Sequence, residues 1–181
     1  TAAGLRPPIV HAANSAASLY FPDAYFDLVR PGIAIYGLNP STTAPVTSAF
    51  RPVLAWKTRL TSVKELPAGH GVSYGHRYVT PTAQRIGALA VGYADGMRRK
   101  LNANACLVHG KRLPIIGTVC MDQAMIPLDD IPEACPGDEV VLIGQQGEAA
   151  ISADDLAAAW GTINYEVTCG LTARVQRIFL S

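Results

Sequence analysis

The chain has 181 residues, is 49% hydrophobic and 16% charged, and carries a formal net charge of +1. An apolar core is affordable at that length, disorder is excluded by composition, and nothing in the charge steers the chain toward nucleic acid or an anionic membrane. No apolar run of about eighteen residues offers a membrane span, and no charged-then-apolar leader follows Thr1, so a cytoplasmic protein is expected, with a leader on some preceding segment left open.

In chain order, residues 14–20 read as a helix and residues 28–36 as an apolar strand. A parallel strand wants helices over it and neighbours beside it, so one such unit reads as the end of a larger α/β domain. Residues 39–52, rich in Pro, Thr and Ser, read as a linker. The domain reading is therefore 1–40, a linker over 41–52, and a β domain over 53–181.

From Pro52 the pattern turns to β. Leu54, Trp56, Thr58, Leu60 and Ser62 alternate onto one strand face, with Lys57 and Arg59 on the other. Pro67-Ala68-Gly69 is a turn, and 86–91 is an apolar run of buried-strand length. Strands over 105–108 and 113–119 flank a hairpin turn at His109-Gly110. A strand over 139–143 closes at Gly144. Ser152 and Asp155 form a capping box ahead of a helix through Trp160. Residues 174–180 alternate as a last strand. The expected architecture is a small β barrel or sandwich.

Four cysteines (Cys106, Cys120, Cys135, Cys169) form no C-x-x-C pair and are not flanked by histidines at ligand spacing, so reduced thiols are expected rather than a zinc site. Several polar or glycine-rich segments remain. In His11-Ala-Ala-Asn14-Ser15, a helix cap competes with an anion site built from helix-start N–H groups and a hydroxyl. In Leu28-Val-Arg30-Pro31-Gly32-Ile33, Arg30 is either a buried structural ion pair or a ligand contact, and Gly32 lets a ligand approach the backbone. Tyr74 and Tyr93 stand beside glycines, in Val72-Ser73-Tyr74-Gly75 and Gly92-Tyr93-Ala94-Asp95-Gly96. Taken singly, these, Cys120-Met121-Asp122-Gln123 and Ile163-Asn164-Tyr165-Glu166 read as packing aromatics and turns.

Taken jointly, and in this order, the segments HxANSAA, LVRPGIAxYG, VSYG, GYADG, CMDQ and INYEV resemble alanine racemase over nearly the whole chain. The resemblance implies the last βα unit of a TIM-type (β/α)8 barrel followed by a mainly β C-terminal domain. It implies pyridoxal phosphate as cofactor, alanine as substrate, and a homodimer whose sites lie between subunits. By the same resemblance Tyr74 is the base on one face of the substrate carbon, and Arg30 faces the cofactor's ring nitrogen. Asn14, Ser15, Gly32, Ile33 and Tyr165 belong to the cofactor's phosphate, and the Met121 backbone to the substrate carboxylate. Tyr93, with Arg99, Ile163 and His11 in the next layer out, belongs to the entrance. Thr118 stands where some members carry arginine.

The family's cofactor-binding lysine is not matched by Lys57, Lys64, Lys100 or Lys111. The expectation is half of a racemase, inactive alone, that needs the N-terminal barrel portion and serves D-alanine supply for the cell wall or D-alanine catabolism. Two readings compete: a related barrel enzyme such as a decarboxylase, against which Arg30 argues, and a non-catalytic, self-associating β-rich module.

Overall fold

The computed structural model describes residues 4–41, 43, 50–100 and 102–180. Most of the expected linker, residues 42 and 44–49, lies outside the described residues. The chain divides into two compact units, Thr1–Leu54 and Ala55–Ser181.

The first unit is a parallel β-α-β arrangement. Strand β1 (His11–Asn14) leads directly into helix α1 (Ser15–Tyr20), and β2 (Leu28–Arg30) pairs with β1, His11 opposite Leu28. The helix starts because Asn14 Oδ1 accepts from the Ala17 N–H at 3.0 Å, an N-cap that satisfies one of the orphan donors of the first turn. It ends at Phe21, ahead of Pro22. The strand expected over 28–36 is in fact two elements. Pro31 lacks an N–H to continue the ladder, so β2 stops at Arg30 and a 3-10 helix (Ile33–Tyr36) follows, closed by Gly37 in the left-handed region. Leu28, Val29 and Ile35 are exposed.

The second unit contains β3 (Trp56–Leu66), the short hairpin β4 (Gly71–Val72) and β5 (Tyr78–Val79), β6 (Gln84–Leu89), β7 (Ala105–Val108), β8 (Lys111–Pro114), β9 (Ala124–Pro127), β10 (Glu139–Gln146) and β11 (Ala149–Ile151). Helices α2 (Ala153–Trp160) and α3 (Asn164–Gly170) follow. The main sheet is antiparallel in the order β8-β7-β10-β3-β6-β9, with β11 on β10. A bridge between Ile116 and Met125 joins the segment leaving β8 to β9, so the two ends of the order meet as in a small barrel. Leu60, Leu89, Leu107, Ile126, Leu128 and Leu142 are fully buried within it.

Alternation along β3 holds for Trp56 and Leu60, both buried, against Lys57 and Arg59 outside. An irregularity between Leu60 and Ser62 then shifts the register, and Leu54 precedes the strand. The strand expected to close at Gly144 runs on through it to Gln146, because β11 pairs there, Gly144 opposite Ile151. The strand expected over 113–119 ends at Pro114. Residues 174–180 form no strand: Arg177 donates to the carbonyls of Leu171, Thr172 and Val175, which holds the start of the segment in turns, and Ile178, Phe179 and Leu180 are exposed. The capping box is present in both directions, Asp155 N–H to Ser152 Oγ at 3.0 Å and Ser152 N–H to Asp155 Oδ2 at 2.8 Å. All four cysteines are free thiols; burial pushes Cys106 up to about 12, which leaves it inert.

Candidate active site

In the first unit the two polar segments of the sequence meet. Ser15 is buried, and its Oγ accepts from the Gly32 N–H at 2.7 Å and the Ala34 N–H at 3.4 Å. The cap therefore belongs to Asn14, while Ser15 Oγ keeps its own proton to donate. A Cβ built on Gly32 would lie 4.0 Å from that oxygen, so the backbone here is open to close approach. Ile33 is buried immediately after it. With the Gly32 and Ala34 N–H groups engaged by Ser15 Oγ, the Ser15 hydroxyl proton is what this corner can offer an anion such as a phosphate.

Arg30 does not form the buried ion pair considered from the sequence. It is exposed; its guanidinium contacts His11 Nδ1 and donates to the Ala12 carbonyl at 3.4 Å. Guanidinium has donors only, so Arg30 is the donor toward His11 Nδ1. The Arg30 fork is thus oriented across the end of the strand pair by the His11 ring, and among the described residues no carboxylate pairs with it.

In the second unit three loops converge. Tyr74 opens a 3-10 turn (Tyr74–His76) and is 72% exposed. The preceding Ser73 has φ 62 and ψ −175, a backbone region that belongs almost wholly to glycine and costs a side chain on the order of 1–3 kcal/mol. Thr118, which is buried, donates through Oγ1 to the Tyr74 carbonyl at 2.8 Å. Gly117 allows this docking: a Cβ there would stand 2.8 Å from the Val72 carbonyl. The Tyr93 N–H donates to the Cys120 carbonyl at 3.0 Å and the Ala94 N–H to the Met121 carbonyl at 2.9 Å. Gly92 is obligatory between them, since a Cβ would meet the Cys120 carbonyl oxygen at 2.3 Å. Tyr74, Tyr93 and Met121 are therefore carried on one braced loop cluster, and Met121 is 54% exposed.

The Tyr93 turn is fastened in turn to the end of α3. Thr172 Oγ1 donates to the Ala94 carbonyl at 2.7 Å, and Arg174 stands 3.5 Å from the Asp95 carboxylate, whose other oxygen accepts from the Gly92 N–H at 2.8 Å. That helix bears Tyr165, whose phenol is pushed up by burial, and Ile163 is its exposed N-cap residue. The hydroxyl of Thr162 and then Arg98 hold the Glu166 carboxyl below its ordinary range. Arg98 also stacks 5.8 Å over the Trp160 ring. Arg99, next in the chain to Arg98, is exposed. The sequence did not reveal Ser73 or Thr118 as structural partners of Tyr74; a left-handed serine leaves no signal in composition or periodicity.

The first unit is a parallel βαβ piece, and the second is an antiparallel β domain that displays Tyr74 and Tyr93 on glycine-braced loops. Residues 53–179 match the profile described as alanine racemase, C-terminal domain, and residues 1–40 that described as alanine racemase, N-terminal domain. An alanine racemase of Halothermothrix orenii is 52% identical over 171 residues, 94% of this chain and 45% of the relative. One of Geobacillus stearothermophilus is 49% identical over 96% of this chain and 45% of its own length. The crystal structure of a Bacillus anthracis alanine racemase with bound L-Ala-P superposes with a TM-score of 0.93 at 44% identity, covering 99% of this chain and 47% of that one. The chain belongs to the alanine racemase family. It spans a little under half the length of these relatives.

Proposed function

We propose that this chain supplies the phosphate cradle and the second-face base of a pyridoxal-phosphate-dependent alanine racemase. The observation that carries the reading is the exposed Tyr74 phenol on a turn whose backbone is fixed from both sides. The first unit fits the cofactor's phosphate: Ser15 Oγ and the open Gly32 backbone would hold it beside Asn14 and Ile33; by the family resemblance Tyr165 also belongs to the phosphate. When bound, pyridoxal phosphate withdraws electrons from the amino acid and acidifies its α-carbon. With the cofactor bound, the permanently charged Arg30 would keep a proton off the ring nitrogen and so limit side reactions.

Racemisation needs proton transfer on both faces of the α-carbon. Tyr74 takes or returns the proton on one face through its phenol oxygen. The Met121 backbone orients the substrate carboxylate, and Tyr93, Arg99 and Ile163 narrow the approach. The other face requires a lysine. Lys57 pairs with Glu139, while Lys100 and Lys111 bind the carbonyls of Ala159 and Asp130; Lys64 lies on β3, away from the family's lysine motif. By the family resemblance the N-terminal barrel portion supplies that lysine, and the Tyr74 loops serve a site shared with the partner subunit of a homodimer. D-alanine supply in the cytoplasm, for the bacterial cell wall, or its catabolism is the role.

The test mixes this chain with pyridoxal phosphate and alanine, with and without the N-terminal half of a racemase. Visible absorbance of covalently held cofactor and interconversion of enantiomers should appear only with the added half. Clear racemisation by this chain alone, contamination excluded by mass spectrometry, overturns the half-enzyme reading.

A further inference from the structure

We propose that Ser73 and Thr118 form a reciprocal clasp whose role is to position Tyr74 for proton transfer, an inference that rests on Tyr74 being the second-face base. A glycine would adopt the Ser73 backbone, φ 62 and ψ −175, without strain, yet a serine stands there. Its hydroxyl is used: Ser73 Oγ donates to the Thr118 carbonyl and lies 3.3 Å from Cys120 Sγ. Thr118 answers in the opposite direction, Oγ1 to the Tyr74 carbonyl at 2.8 Å. Burial of Thr118 keeps water from competing for these bonds. Gly75, with φ 73, and the His76 N–H donating to the Ser73 carbonyl at 3.3 Å complete the turn.

The backbone of Tyr74 is thus held on both sides while its ring is 72% exposed. Packing within this unit does not fix the ring, so its aim depends on the peptide units that the clasp holds. Strain kept at one residue beside an exposed phenol is what pre-organisation for proton transfer requires, since a displacement of about 1 Å can lower turnover by about a hundredfold. Ser73 and Thr118 touch no substrate in this scheme; they are positioning residues.

The test uses a full-length racemase polypeptide that carries this chain, with the variants Ser73→Gly, Thr118→Val, Thr118→Ser and Tyr74→Phe. Each is measured for kcat and KM in both directions, melting temperature, and solvent deuterium incorporation into each enantiomer. Ser73→Gly relieves the backbone, so it should keep or raise the melting temperature while lowering kcat about tenfold or more, with KM nearly unchanged. Thr118→Val should lower kcat similarly, and Thr118→Ser should recover most of it. Both slow variants should shift deuterium incorporation toward the same enantiomer as Tyr74→Phe does.

Unchanged kcat in Ser73→Gly and Thr118→Val, alongside a large loss in Tyr74→Phe, overturns the clasp and leaves the base assignment standing. Losses of kcat and melting temperature in parallel, without rescue by serine at 118, reduce the pair to structural supports and also overturn it. An active Tyr74→Phe variant sinks the base assignment itself, and the clasp with it.

Discussion

The two units bury their strands by different means. In the β domain each strand meets antiparallel neighbours made by its own chain, and Leu60, Leu107, Ile126 and Leu142 are fully buried. In the first unit the parallel pair β1 and β2 has one helix between its strands, and all three residues of β2 are exposed. Hairpins let an antiparallel sheet fold over itself, whereas a parallel pair depends on elements brought from elsewhere in the chain. Each large apolar side chain left in water forgoes roughly 1.5–3 kcal/mol. The proposed phosphate cradle sits on the unit whose strand pair is exposed, and Tyr74, Tyr93 and Tyr165 sit on the unit whose sheet is buried by its own strands.

The largest expected effect separates the chemistry of the two units. In a full-length racemase carrying this chain, Tyr74→Phe should lower turnover about 10²–10⁴-fold while cofactor affinity is kept. Enantiomers are equally stable, so kcat/KM falls alike in both directions and the asymmetry appears in solvent deuterium incorporation. Ser15→Ala should do the reverse, weakening cofactor binding, read by titration, more than it slows saturated turnover. Interchange of these two outcomes would break the division of labour.

Burial gives the next contrast. Ile126→Ala, at a fully buried site of β9, should destabilise the β domain by about 2–5 kcal/mol in urea melts of the chain. Val29→Ala, on exposed β2, should stay within about 0.5 kcal/mol. A large loss at Val29 would show that β2 packs into the first unit's buried cluster of Ala13, Ile33 and Leu38. Ser152→Ala removes the side-chain half of the capping box, the Asp155 N–H to Ser152 Oγ bond, and should cost about 1 kcal/mol, measured in the same melts.

The smallest effect concerns acid. The Val10 N–H, at 2.9 Å, and the Arg6 guanidinium, at 2.7 Å, hold the Asp27 carboxyl below its ordinary value. Its folded value lies under its unfolded one of about 4, so its contribution is full above that pH and is lost as pH falls through the folded value. The Val10 amide resonance should shift across that acid range in the wild type and stay flat in Asp27→Asn. An identical shift in the variant would sink the link. In the β domain the Cys135 N–H, then its thiol and His109, hold Asp138 low in the same sense, but there acid should loosen only a surface loop.

What the sequence by itself determined is local or serial. The capping box at Ser152, the helix start at Asn14, the strand over Ala105–Val108 and its turn at His109-Gly110 rest on partners within a few residues. The six ordered segments identified the family, because their joint spacing is specific even where each alone is bland. Tertiary structure decided the rest. It stopped β2 at Arg30, carried β10 through Gly144, left residues 174–180 out of the sheet, and gave Arg30 the His11 ring as partner instead of a carboxylate. It also placed Ser73 in a left-handed conformation answered by Thr118, 45 residues away. A strand edge, a bulge or a strained serine is settled by which distant backbone arrives beside it. That competition among long-range partners is absent from any short window of sequence.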